Sequence, residues 1–291
     1  MDIPIPGCEA TMPVFNYQNR SMHYLQQGQG EAVLLLHGLG SCAEHWSAQM
    51  TVLSQHYRVI AADMRGHGLS SPSLQPFSMS QLAADMLALL RHLNISRCQV
   101  IGFSLGGMVA FELALLAPHC IQSLVIINSG PQLAVQGWRL TLLLWFRLAV
   151  IRLLGMRKLA QIIGAKLFPD TTQQHLLALF ARQMAATDVR SYRHTLRAIG
   201  RFSVQSQLAR LTLPILVLAA DQDYSPVASK AAYVKALPNA ELVVIKNSRH
   251  ATPLDQPAAT NKQLLSFLAK VVQPGRSTTS NTIASGGEQH V

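Results

Sequence analysis

Acidic side chains are scarce in this 291-residue chain: 14 Asp and Glu stand against 24 Lys and Arg, a formal net charge of +10. The deficit is local. Residues 131–210 hold twelve Lys/Arg and only two acids, Asp170 and Asp188, whereas the rest of the chain holds twelve of each sign. Cysteines number four (Cys8, Cys42, Cys98, Cys120), with no CxxC pair and no metal-ligand spacing. That argues against a disulfide framework or a zinc site and leaves buried free thiols as the reading. The start, Met1-Asp2-Ile3-Pro4, lacks a basic segment followed by an apolar one. No secretory signal is expected there, and a reducing cytoplasm is the expected compartment. The densest apolar stretch, Gly137–Gly155, is interrupted by Arg139, Arg147 and Arg152. A membrane-spanning helix needs ~20 mainly apolar residues, so this stretch is a poor span.

Apolar residues make up 49% of the chain, enough for a sizeable core without disulfides or metals. Their pattern alternates strand with helix. Met22–Gln26 and Ala32–Leu36 read as strands joined by a Gly-containing turn. Ser41-Cys42-Ala43-Glu44 has the spacing of a capping box, predicting a helix to about Gln55. Arg58–Ala62 is a strand ending in the glycine-rich Asp63-Met64-Arg65-Gly66-His67-Gly68. Ser78–Leu93 has helical period, with Ser78 and Gln81 as a second capping box. Strands are also read at Cys98–Ile101, Ser123–Asn128, Leu213–Ala220 and Ala240–Ile245, and helices at Gly107–Ala117, Ser225–Ala236 and Leu254–Val272.

This order predicts an α/β fold with a mostly parallel sheet covered by helices on both faces. Residues 131–210 break the alternation with helix-like stretches and no clear strand. They are read as an inserted helical cap between the core segments 1–130 and 211–273. Residues 274–291 are rich in Gly, Ser and Thr and are read as a disordered tail.

Gly102-Phe103-Ser104-Leu105-Gly106 fits Gly-x-Ser-x-Gly between a strand and a helix. A serine hydroxyl standing clear of the backbone at a strand end needs a tight turn, and glycine two residues to either side permits it. A serine hydroxyl is a weak nucleophile until an imidazole takes its proton. Of the eleven histidines, His250 follows the strand Ala240–Ile245 by a short loop, at the same sheet edge as Ser104. The base needs a carboxylate to hold its tautomer. Asp223, after Leu213–Ala220, is the choice, and Asp221 is read as a turn former. The oxyanion donors are expected to be the backbone N–H groups of Leu39 and Leu105. Gly38 and Gly40 let the Leu39 loop approach closely, and His37 is read as scaffold rather than catalyst.

Together these residues resemble the α/β-hydrolase family. The resemblance covers roughly residues 20–130 and 210–272. It rests on His37-Gly38, Asp63-x-Arg65-Gly66-His67-Gly68-x-Ser70, Gly102-x-Ser104-x-Gly106-Gly107, Asp223-x-x-Pro226 and His250. It implies eight strands, no cofactor and serine-type chemistry on an ester, thioester or lactone. The chain is more similar to the lipase, esterase and enol-lactonase branch than to dehalogenases or epoxide hydrolases, which place an aspartate where Ser104 stands. Arg249 departs from the pattern, since many relatives carry glycine before the histidine. It could lower the proton affinity of the base or point to solvent.

The cap matches no particular relative, so the substrate stays open. One reading packs its apolar stretch over the core with arginines reaching outward. The other makes it a channel for a small-molecule or acyl substrate under a basic rim, facing an anionic acyl carrier or a membrane surface. Nucleic acid is disfavoured, because the cap is too apolar for a face that tracks phosphates. Two rivals share the constellation: a carbon–carbon bond hydrolase using the same triad, and a ligand-sensing or scaffold protein that kept the fold.

Overall fold

The computed structural model describes residues 13–133 and 138–272, apart from the side chains of residues 139–141, 143 and 272. The tail read at 274–291 and Cys8 lie outside the described residues.

Eight strands form one sheet: β1 (Val14–Tyr17), β2 (Arg20–Gln27), β3 (Ala32–Leu36), β4 (Arg58–Ala62), β5 (Cys98–Phe103), β6 (Ile121–Ile127), β7 (Ile215–Ala220) and β8 (Ala240–Ile245). Their spatial order is β1-β2-β4-β3-β5-β6-β7-β8. From β4 to β8 every pairing is parallel, and only β1–β2 and β2–β4 are antiparallel. β2 and β3, consecutive in the chain, do not pair, because β4 lies between them.

The all-apolar central strands follow from cover on both faces. In β3, Leu34 and Leu36 enter one core while Val33 and Leu35 enter the other. That is the period-two alternation of a strand. The first core packs α2 (Met79–His92) and α3 (Leu105–Leu116) on the sheet, and the second packs α1 (Ser47–Leu53) and, near the C-terminus, a helix at Pro257–Val272.

Between β6 and β7 the described residues form three helices and no strand: α4 (Trp138–Leu167), α5 (Gln174–Ala186) and α6 (Val189–Arg201). α4 is broken at Gly155, whose φ of 76° is left-handed. The ends of the insertion meet where Gln132 bridges Ser203 and the Val204 N–H donates to the Pro131 carbonyl. Val204 and Leu208, read from sequence with the insertion, pack in the first core. The insertion has its own apolar cluster, including Tyr192, Met184 and Phe180, and this reaches Leu39 and Ala251 on the core loops. No helix among the described residues is long and apolar enough to cross a membrane.

Several local expectations are corrected. The Ser41–Glu44 capping box does not form. Cys42 precedes a 3-10 turn at Ala43–Trp46 without a side-chain cap, and the Ser41 hydroxyl bonds the His45 ring instead. β1 is absent from the sequence reading because it is a short edge strand with polar positions. The helix expected at Leu254–Val272 is divided at Gln256 into α8 (Thr252–Asp255) and α9 (Pro257–Val272). Between β7 and β8, α7 spans Val227–Val234, with Pro226 as its N-cap. The Ser78–Gln81 capping box on α2 forms as expected.

The loops at the C-terminal edge are pinned by buried charges. Asp63, after β4, accepts the N–H groups of Ala43 (2.7 Å) and Leu69 (2.9 Å) and pairs with His23 Nδ1 (2.7 Å). Arg65 grips Asp85 on α2 through two hydrogen bonds of 2.9 and 2.8 Å. Two imidazoles are sealed in neutral form nearby. Burial pushes His37 down to about 3, with His67 adding and Asp63 opposing. Burial also takes His45 down to about 4 against the pull of Asp63.

Two predictions follow from this packing. A Cβ on Gly106 would stand 2.0 Å from the Leu36 carbonyl oxygen, a backbone atom of the central strand. Gly106→Ala is therefore expected to destabilise the fold by roughly 3 kcal/mol or more, measured as a lower midpoint in thermal or urea unfolding. The buried histidines set the second. Their folded pKa values lie below the unfolded value of about 6.5, so between those limits the unfolded chain binds protons that the folded chain refuses. Stability thus falls as pH drops below about 6.5, by up to roughly 1.4 kcal/mol per pH unit for each histidine. Urea midpoints from pH 7.5 to 4.5 should show this decline, and His45→Gln should make it shallower; a flat profile in the native protein refutes it.

Candidate active site

Ser104 ends β5 and precedes α3 with φ 53° and ψ −112°, a left-handed conformation for a residue with a side chain. Such a conformation costs on the order of 1–3 kcal/mol and persists only where its surroundings hold it. Here they do. The Ser104 N–H donates to the Ile127 carbonyl at 2.9 Å, and the Ser104 carbonyl accepts the Ser129 hydroxyl at 2.6 Å. Gly102 and Gly106 make the turn possible, since a Cβ on Gly102 would stand 2.4 Å from the Gly106 carbonyl oxygen.

Ser104, His250 and Asp223, expected from three separated loops, lie in one line of hydrogen bonds. His250 Nε2 is 2.9 Å from Ser104 Oγ, and His250 Nδ1 is 2.9 Å from Asp223 Oδ1. The carboxylate only accepts, so Nδ1–H donates to it and Nε2 is left to accept from the serine hydroxyl. Asn128 fixes the His250 loop. Its side-chain amide donates to the His250 carbonyl (2.8 Å) and to Thr252 Oγ1 (2.6 Å), and its side-chain carbonyl accepts the Ala220 N–H (2.8 Å).

The Asp223 carboxylate is fully buried, and its second oxygen is held by Lys230 Nζ at 2.7 Å and the Ser225 hydroxyl at 2.6 Å. Burial works to raise its pKa. The hydrogen bond and charge of His250, with the bonds from Lys230 and Ser225, outweigh that and hold it well below the usual carboxylate range. Lys230 is itself buried, and it also donates to the Ser225 carbonyl at 2.7 Å. Asp221 acts as the expected turn former, accepting the N–H groups of Asn247 (3.1 Å) and Ser248 (3.0 Å).

Leu105 is the first residue of α3, where an N–H has no intrahelical acceptor. Leu39 is half-buried in the loop after β3. The neighbouring Gly38 lies against the site: a Cβ there would stand 2.8 Å from the Phe103 ring and 3.5 Å from Ser104 Cβ. His37 turns away from the chemistry. Its Nδ1–H donates to the Gly38 carbonyl (2.8 Å) and its Nε2 accepts the Met64 N–H (3.0 Å). Arg249 is half-buried, its N–H donates to Asp255 (2.7 Å), and its charge acts on that same carboxylate.

Sequence reasoning missed Lys230, Tyr224 and Arg147. The Tyr224 hydroxyl is 2.8 Å from His250 Nε2, and the two rings lie 4.2 Å apart. Lys230 and Tyr224 carried one usable signal, their closeness in the chain to Asp223. Arg147 carried none, because only the folded insertion brings it inward. Among the described residues no group of three His, Cys, Asp or Glu side chains is arranged to hold a metal ion.

Comparison with known proteins agrees with this architecture. The family model described as the α/β hydrolase fold matches residues 31–257. The chain is 27% identical over 263 residues to 3-oxoadipate enol-lactonase 2 of Acinetobacter baylyi, covering 86% of this chain and 96% of that one. It is 31% identical over 267 residues to a protein of Variovorax paradoxus provisionally named a carbamate hydrolase, RutD, covering 87% and 98%. Among solved structures, a hydrolase from Pseudomonas aeruginosa superposes with a TM-score of 0.82 at 27% identity, covering 90% of this chain and 99% of that one. The enol-lactonase of Burkholderia xenovorans superposes with the same score at 24% identity, covering 88% and 100%, a likeness of fold. With its parallel sheet, its serine at the β5–α3 turn and a family match over most of its length, the chain belongs to the α/β-hydrolase family and is a hydrolase.

Proposed function

We propose that this hydrolase cleaves a carboxylic ester, thioester or lactone through an acyl-Ser104 intermediate. The observation that carries the reading is the unbroken line from Ser104 Oγ through His250 to the buried Asp223. In this scheme Oγ attacks the substrate carbonyl while His250 Nε2 takes its proton. The imidazolium that forms faces an ionised Asp223, kept in that state by Lys230 and Ser225. The tetrahedral oxyanion is received by the Leu39 and Leu105 N–H groups, fixed backbone donors that need no reorganisation. Nε2 then returns the proton to the departing oxygen or sulfur. Water, deprotonated by the same nitrogen, releases the acid and restores Ser104. Similarity to an enol-lactonase and to a protein named for carbamate hydrolysis supports an activated carboxyl derivative as substrate.

The exposed cations of the insertion support a further element of the reading, an anionic acyl carrier or lipid surface as the source of substrate. Turnover of such a substrate should fall as salt rises, while a neutral soluble ester stays nearly constant.

The central test is kcat/KM across p-nitrophenyl esters from acetyl to palmitoyl, with Ser104→Ala as the blank. Ser104→Ala is expected to lower kcat by about 10^4-fold or more while leaving the melting temperature in place. A variant that retains the native rate would sink the acyl-serine mechanism. If no ester turns over, product analysis on a vinylogous diketone separates carbon–carbon cleavage from a ligand-sensing role.

A further inference from the structure

The insertion is basic, but its cations are not equivalent. Among its described Lys and Arg side chains, those at 152, 157, 158, 166, 182, 190, 193, 197, 201 and 210 are exposed, and Arg147 alone is half-buried. Arg147 lies on α4 between Leu144 and Leu148, which pack in the cluster that reaches Ala251, the residue after His250. Its guanidinium donates to the Tyr192 hydroxyl at 3.5 Å. Among the described residues no carboxylate lies within ion-pair distance of it. A guanidinium carries five N–H donors, and one long bond to a neutral phenol leaves most of them unmatched. Those donors are not sealed from water, and a guanidinium with free donors is a ready partner for a carboxylate or phosphate.

The charge of Arg147 acts on Tyr192 and on Tyr224, whose hydroxyl lies 2.8 Å from His250 Nε2. Tyr224 is 72% exposed, so a substrate group can reach it beside the base. Asp223 is balanced by Lys230, and no carboxylate among the described residues is paired with Arg147.

We propose that Arg147, held by the buried Tyr192 hydroxyl, forms with the Tyr224 hydroxyl a subsite for a carboxylate borne by the substrate at a distance from the bond being cleaved. The substrate class is then a half-ester, thioester or lactone carrying a free acid. The inference deepens the hydrolase reading and rests on it. The Tyr224 hydroxyl shares Nε2 with the Ser104 hydroxyl, so productive binding turns it aside. The anionic end, by engaging Arg147 and the Tyr224 hydroxyl, supplies the interaction that draws Tyr224 off the base.

The test compares two esters of matched length, mono-p-nitrophenyl glutarate and neutral p-nitrophenyl valerate, in the native enzyme and in Arg147→Met, Arg147→Gln and Arg147→Lys. The expected result is a fall in the ratio of kcat/KM values, acidic over neutral, of about tenfold or more in Arg147→Met, the loss of one charge-assisted pair. The fall should reside mainly in KM, with partial recovery in Arg147→Lys. If Arg147→Met does not fold, Arg147→Gln carries the comparison. A ratio unchanged within about twofold, or an equal loss on both esters, overturns the subsite. If neither ester is cleaved above the Ser104→Ala blank, the esterase reading fails and binding decides the subsite separately. Glutarate, and not glutaramide, must then raise the melting temperature of Ser104→Ala, and adding Arg147→Met must abolish the rise. No rise with glutarate overturns it.

Discussion

The architecture depends on one close approach of backbone to backbone. Ser104 is held at a left-handed φ because β5 must turn into α3 without lifting away from β3, and Gly106 sits against the Leu36 carbonyl with no room for a Cβ. Everything else at the site is placed relative to that turn. The loop after β3 reaches it through Gly38, the His250 loop is fixed beside it through Asn128, and Ser129 caps its carbonyl. The strain is local, and the cooperative packing of the central strands sustains it.

Electrostatics divide the molecule in the same way. Two arginine or lysine side chains buried in the core are closed in pairs with carboxylates: Arg65 with Asp85, and Lys230 with Asp223. Breaking such a pair leaves a buried charge without a partner, typically worth about 3–5 kcal/mol, so both are expected to hold the loops rigidly. The second pair joins the hydrogen-bonded line of Ser104, His250 and Asp223. Lys230 claims one oxygen of Asp223 and leaves the other for His250, which sets the direction in which the imidazole hydrogen-bonds. The insertion departs from this economy, with ten described cations at the surface and Arg147 turned inward.

The sheet and the candidate site were legible in sequence where their causes are local. Gly-x-Ser-x-Gly between a strand and a helix is dictated by a turn of five residues, and Asp223 and His250 follow because each lies just past an apolar strand. The failures have tertiary causes. Ser41 had the spacing for a cap, but its hydroxyl found the His45 ring once both were buried. Val204 and Leu208 follow a run of insertion helices and yet fold back onto the first core. Arg147 is one arginine in a basic stretch, and only the packing of α4 separates it from its neighbours.

The position of the insertion also bears on how the chain acquires its shape. β6 and β7 pair in parallel, yet the whole of α4, α5 and α6 lies between them. That pairing closes a long loop, whose entropic penalty grows with the logarithm of its length and must be met before the contacts reward it. Ser104 belongs to the part made before this loop, Asp223 and His250 to the part made after it. During synthesis from the N-terminus the Ser104 turn is therefore complete before Asp223 and His250 have left the ribosome. The hydrogen-bonded line from Ser104 to Asp223 closes only once the last two strands and the His250 loop are in place.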